Sequence, residues 1–293
     1  MSEDVLVTAD WLTSRLEEFR RDDPAYRLVE VNNTEVTDES EHTPYKAGHA
    51  PGTTFFDWTE NFTDDMRRNI VDREGFARFN GEAGITEEST VVIYGNGMVP
   101  NWYGAYAYWT YKYYGHDDVR VLDGGKQYWV ENDYPLTTEV PEFTPQEYVP
   151  GGPVEEIRAY KDDVEAAMEK GLALLDGRTP EEFRGEIIAP EELEETAQQA
   201  GHIPGATNVP MPKVHNEDGT YKDPEELREL YAEEGIDGEQ PTTTYCRLGE
   251  RSSIEWFLLH ELLGFEEVRN YDGSWTEWGN MVDVPIGRGE AEN

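Results

Sequence analysis

Cys246 is the one cysteine in the chain, and it sits in the segment Thr244-Tyr245-Cys246-Arg247-Leu248-Gly249-Glu250-Arg251-Ser252-Ser253. A β-prone run ends at the thiol, a short loop carries Gly249, and a helical pattern starts near Ser252 or Ser253. In a parallel α/β sheet, the carboxyl end of a strand feeding a helix is where ligands bind. Loop N–H groups and the helix N-terminus gather there into an anion cradle. Such dipoles are expected to hold the sulfur as thiolate, the nucleophilic form. Arg247 and Arg251 add two cations to a chain short of them. A lone cysteine is more often a small buried apolar residue, and flanking arginines can serve as partners for surface carboxylates. The neighbours here are Arg, Gly, Glu and Arg rather than core residues. The segment therefore reads as a nucleophile, Cys246, in a loop whose Arg247, Leu248, Gly249, Glu250, Arg251 and Ser252 bind a small anionic substrate.

Elements that could position this loop occur twice. Gly48-His49-Ala50-Pro51-Gly52 recurs as Gly201-His202-Ile203-Pro204-Gly205. Leu122-Asp123-Gly124-Gly125, with Trp129 beyond it, recurs as Tyr271-Asp272-Gly273-Ser274 with Trp278, and Val91–Tyr94 aligns with Thr242–Tyr245. Three anchors in one order at nearly constant offset mark a tandem duplication. Residues 139–153 hold four Pro and two Gly without periodic pattern, which reads as an extended linker. Candidate strands are Arg27–Val31, Thr90–Tyr94, Val119–Leu122, Leu172–Asp176, Thr242–Tyr245 and Val268–Tyr271. Helical spacing covers Asn101–Tyr114 and Ser252–Leu263, each stopped by a glycine, and further helices are expected at 191–199 and 224–234. Strands alternating with helices predict α/β domains with mostly parallel sheets.

The 293 residues favour two domains, and 37% hydrophobic residues with eight Trp and seventeen Tyr indicate folded cores. Sixty-three acidic residues against 24 basic ones give a formal net charge of −39, which repels nucleic acid and anionic lipid. Seven of the basic residues are Lys, and the acid is spread through every segment, a surface suited to a cytosol rich in salt. The N-terminus lacks the basic and apolar regions of a signal peptide, and no stretch reaches the ~20 apolar residues of a membrane span, so a cytoplasmic location is expected.

On GHAPG and GHIPG, LDGG with its Trp, YCRLGERSS, and YDGSWTEWG, the chain resembles the tandem-domain rhodaneses, the thiosulfate/3-mercaptopyruvate sulfurtransferase family, over essentially its full length. The resemblance implies an N-terminal rhodanese-like domain (1–138), a linker (139–153) and a catalytic C-terminal domain (154–293), each domain a central mostly parallel sheet flanked by helices. It implies that Cys246 takes a sulfane sulfur from a donor. The six-residue loop Cys246–Arg251 would stabilise the persulfide until a thiol or cyanide acceptor attacks it, with neither metal nor organic cofactor. Two arginines against one adjacent glutamate point to thiosulfate over 3-mercaptopyruvate as donor. A non-catalytic persulfide carrier would show the same loop. Cysteine phosphatases share the architecture but need Cys-x₅-Arg, whereas Arg251 makes Cys-x₄-Arg here.

In the first copy Tyr94-Gly95-Asn96 replaces Tyr245-Cys246-Arg247, leaving no nucleophile. Family members often carry an Arg just before the aromatic that is Phe183 here. Glu182 occupies that place, with Arg178 and Arg184 nearby as donor-binding candidates. His49 and His202, present in both copies, read as architectural. Asp176 could orient loop groups or act as a cap, and Trp275 and Trp278 suit core packing better than a pocket wall.

Overall fold

Val91, Val92 and Ile93 are apolar at consecutive positions, so both faces of their strand must be covered, as in parallel sheets flanked by helices. A computed structural model of the protein describes residues 5–33, 44–64, 68–190 and 197–290. Among these, the strands of the first half are β1 (Leu6–Val7), β2 (Tyr26–Asn32), β3 (Thr53–Asp57), β4 (Thr90–Gly95) and β5 (Val119–Leu122). Those of the second are β6 (Arg158–Ala159), β7 (Ala173–Asp176), β8 (Ala206–Asn208), β9 (Thr242–Tyr245) and β10 (Val268–Tyr271). They form two five-stranded sheets of order β1-β5-β4-β2-β3 and β6-β10-β9-β7-β8. Every pairing is parallel. The second order is the first with each strand number raised by five, so the repeated motifs mark a repeated topology. The chain divides into two compact units, Met1–Val154 with Glu217–Thr220, and Glu155–Asn216 with Tyr221–Asn293.

The candidate strands from the sequence are all present, with ends shifted by a residue at most. The short edge strands β1, β3, β6 and β8 were not anticipated, since all four run to five residues or fewer without alternation. Helix Trp102–Tyr113 buries every residue except Lys112. Its Tyr and Trp side chains are core, as expected of an all-round apolar helix. Ser252–Leu263 splits into an α-helical turn, Ser252–Trp256, and a π-helical one, Phe257–Leu262. Helix Pro224–Glu233 matches its expectation, while most of the one expected at 191–199 lies outside the described residues. Residues 139–153 have no regular structure, yet they are a strap bonded to the first unit rather than a free tether. Gln146 N–H donates to Gly81 O at 2.8 Å, Thr144 N–H to Asp22 at 2.8 Å, and Gly151 N–H to Tyr114 O at 2.9 Å.

The repeated turn is built alike in both units. His49 stacks on Tyr45 and His202 on Phe183, each with ring centroids 3.8 Å apart. Each ring's Nδ1 meets the backbone oxygen of its stacking partner, at 2.9 and 2.8 Å. Tyr94 and Tyr245 hydroxyls accept the N–H of Ala50 and Ile203 from the same turns, at 3.3 and 3.2 Å. Both histidines are therefore packed architecture.

Candidate active site

β9 ends at Tyr245, and the next residue, Cys246, is fully buried. Its backbone N–H donates to Ser274 Oγ at 3.0 Å, and that hydroxyl donates onward to Tyr271 O at 2.7 Å. The loop then turns back on the sulfur, so that Gly249 N–H donates to Sγ at 3.2 Å. Gly249 has φ +92°, and a Cβ there would come within 2.7 to 2.8 Å of Asp272, so this position requires glycine. Its carbonyl is pinned by Ser252 Oγ at 3.1 Å, Ser253 Oγ at 2.8 Å and Asn270 Nδ2 at 3.0 Å. Three donors on one oxygen fix the loop over the N-terminus of helix Ser252–Trp256.

The structure brings Cys246, Arg247, Leu248, Gly249, Glu250, Arg251 and Ser252 together around the sulfur, all buried. It also gives each cation of the loop a carboxylate. Arg251 reaches Glu182 through NH1 at 3.2 Å and NH2 at 3.3 Å, a two-pronged contact between buried side chains. Arg247 NH2 lies 3.6 Å from Glu250 Oε1, a looser pairing. Glu250 Oε2 lies 3.7 Å from Sγ, where the thiol can donate to it. Two charges of each sign leave the loop near neutrality rather than cationic.

Burial and the Glu250 charge run against the expectation of a resting thiolate. Burial pushes the Cys246 thiol up, the Glu250 charge pushes it further, and Arg251 and Ser252 oppose them without prevailing. Burial disfavours the charged form of the thiol because the sulfur is removed from solvent. Glu182 shows the reverse. Burial alone would raise its carboxyl, but Arg251 and then Arg178 hold it below the usual range.

Glu182 sits on helix Pro180–Arg184, where it also closes a capping box. Its N–H donates to Thr179 Oγ1 at 3.3 Å, and its Oε2 accepts Thr179 N–H at 3.1 Å. The sequence Thr179-Pro180-Glu181-Glu182 carries the signal for that cap. Nothing in it marked the contact with Arg251, which depends on a loop 69 positions away.

Neither donor-binding candidate of this region faces the sulfur. Arg178 is fully buried, bound to both oxygens of Asp176 (2.7 to 3.2 Å) and to Gly201 O (2.7 Å), with its guanidinium 4.6 Å from the Trp275 ring centre. Arg184 is part-exposed and paired with Glu186 at 2.7 Å and Glu181 at 3.6 Å. Asp176 thus orients Arg178, also accepting its N–H at 2.9 Å, and Trp275 and Trp278 are core. Ser274 is a contributor the sequence reading missed. It has φ +51° where the first copy has Gly125 at φ +57°, and its hydroxyl is what holds Cys246. A serine replacing glycine at a repeated left-handed position was the available signal.

The first copy has the loop without the chemistry. A Cβ on Gly95, the counterpart of Cys246, would lie 2.5 Å from Gly104 N and 2.8 Å from Val31 O. Asn101 Oδ1 accepts Gly95 N–H at 3.1 Å, and its Nδ2 donates to Leu122 O at 2.7 Å, tying off the loop. Glu30 is buried against Lys126 at 2.6 Å, with Asn32 Nδ2 on the same oxygen at 2.7 Å. Among the described residues no group of His, Cys, Asp and Glu is placed to hold a metal ion.

A family model described as a rhodanese-like domain matches residues 8–132 and again 160–281. The chain is 55% identical, over 98% of both lengths, to a protein of Haloferax volcanii named as a candidate thiosulfate sulfurtransferase. It is 46% identical, again over 98% of both, to the sulfur carrier protein TtuD of Thermus thermophilus. Among solved structures it resembles the anaerobic ergothioneine biosynthesis enzyme of Chlorobium limicola. That match has TM-score 0.83 and 26% identity, over 98% of this chain and 71% of the other.

Proposed function

Because the chain belongs to the rhodanese family of sulfurtransferases, with one such domain in each half, we propose that it moves a sulfane sulfur from thiosulfate to a thiol or cyanide through a persulfide on Cys246. The observation that carries this reading is the sulfur's position, at a strand end inside a glycine-hinged loop with Gly249 N–H on Sγ. Cys246 is also the chain's one thiol. A persulfide formed there would be anionic and would keep an N–H donor. The loop as a whole, Cys246 to Ser252, is proposed as the substrate-binding segment.

Thiosulfate is a compact dianion, and the cation it would engage is Arg247. Arg251 is held by two contacts to Glu182, whereas the pairing of Arg247 with Glu250 is longer, at 3.6 Å. Charge-assisted hydrogen bonds of this kind are worth roughly 1.5–3 kcal/mol. Two relatives named as candidate thiosulfate sulfurtransferases agree with this choice. TtuD favours a second reading, in which the persulfide is handed to a partner protein rather than to a small acceptor.

Steady-state thiocyanate formation with thiosulfate and with 3-mercaptopyruvate tests the proposal. A higher kcat/KM is expected for thiosulfate, and Arg247→Gly should raise its KM about tenfold or more while changing that of mercaptopyruvate little. A preference for mercaptopyruvate, or an equal loss with both donors, would refute the choice of donor. A persulfide that loads but does not turn over with small acceptors would favour the carrier.

A further inference from the structure

Glu250 has a partner at each carboxylate oxygen, Arg247 at Oε1 and the Cys246 sulfur at Oε2. We propose that Glu250 is the proton acceptor for the Cys246 thiol, a catalytic residue of sulfur transfer rather than a contact for the donor. This rests on the reading of Cys246 as the sulfur-carrying residue and adds the step that makes it nucleophilic.

The sulfur is fully buried, so a proton on the thiol must leave through a group inside the loop. Glu250 is 1% exposed, and its Oε2 lies 3.7 Å from Sγ, a distance that can shorten when a donor binds. Two neighbouring carboxylates are committed. Glu182 holds Arg251 by two contacts, and Asp272, against which Gly249 packs, holds Arg158 at 3.0 Å.

Movement of the proton from Sγ to Oε2 leaves a thiolate and neutralises the carboxylate that is paired with Arg247. The thiolate's electron pair forms a bond to the sulfane sulfur of thiosulfate. The bond from that sulfur to the sulfonate breaks, and its pair departs with sulfite. Cys246 is left as an anionic persulfide, with no net oxidation or reduction to be supplied. When an acceptor takes the outer sulfur, the thiolate is regenerated and Glu250 returns the proton.

Single-turnover persulfide formation on the full chain, followed by quenching and intact mass with thiosulfate as probe, distinguishes this role from a structural one. In wild type the proton stays within the pair, so the rate is expected to vary little with pH around neutrality. Glu250→Gln should lower the rate at neutral pH by about 10²-fold, and it should make the rate climb about tenfold per pH unit, because solvent base must then take the proton. Glu250→Asp, which keeps the carboxylate, should retain the flat profile at a reduced rate. A Glu250→Gln protein that is folded by circular dichroism and keeps the wild-type rate and profile would overturn the proposal. Absence of any persulfide in wild type would instead overturn the reading of Cys246 on which it rests.

Discussion

At the scale of residues, the Cys246 sulfur lies between an N–H donor and a carboxylate, inside a loop whose two arginines are balanced by Glu250 and Glu182. Its protonation is set by burial first and Glu250 second, with Arg251 and Ser252 opposing. Both leading effects disfavour the thiolate, so the thiol should titrate above the ordinary cysteine value of about 8.5. Ultraviolet titration of wild type minus Cys246→Ser, which cancels the tyrosines, should show no thiolate at pH 7 and a rise only in the alkaline range. A thiolate signal at neutral pH would mean that the cradle's dipoles prevail over burial. This balance was not legible in the sequence, because Glu182 reaches Arg251 across 69 positions and its effect appears only once the helix and loop are docked. The candidate nucleophile, by contrast, was legible. A single thiol flanked by Arg, Gly and Glu at a strand end has few other uses.

At the scale of elements, the loop is a strand-to-helix turn that depends on where a side chain can be accommodated. In the first copy Gly95 packs against Gly104 so closely that a Cβ would sit 2.5 Å from a backbone nitrogen. Gly95→Cys is therefore expected to cost about 1–3 kcal/mol of stability, as overpacked sites do, and to create no second sulfur-binding centre. Thermal unfolding and the number of sulfur atoms taken up from thiosulfate check both parts. A variant as stable as wild type that loads two sulfurs would contradict them. Central strands and the buried helix Trp102–Tyr113 could be read from apolar runs and periodicity. The edge strands could not, since Leu6–Val7 and Arg158–Ala159 are two residues long and owe their pairing to a neighbour supplied by the fold. The strap 139–153 was recognisable as extended from its prolines, but its attachment to Gly81 and Tyr114 was not.

At the scale of the whole molecule, a duplicated fold carries one candidate centre and a formal charge of −39. In dilute buffer that charge is screened only beyond ~30 Å at 0.01 M salt, against ~3 Å at 1 M. We expect the melting temperature to fall steadily as KCl is lowered from molar to millimolar concentration, followed by far-UV circular dichroism. An unchanged melting temperature would remove the case for a salt-adapted protein. Among the described residues no helix is long and apolar enough to cross a membrane. The account rests most heavily on one sulfur atom per chain, carried by the second copy at Cys246. Incubation with thiosulfate, removal of excess donor and intact-mass spectrometry under non-reducing conditions measure it directly. Wild type should gain the mass of one sulfur atom and lose it on addition of cyanide, while folded Cys246→Ser gains none. Uptake of sulfur by Cys246→Ser, or a wild-type chain that forms thiocyanate without ever carrying the added mass, would contradict the account.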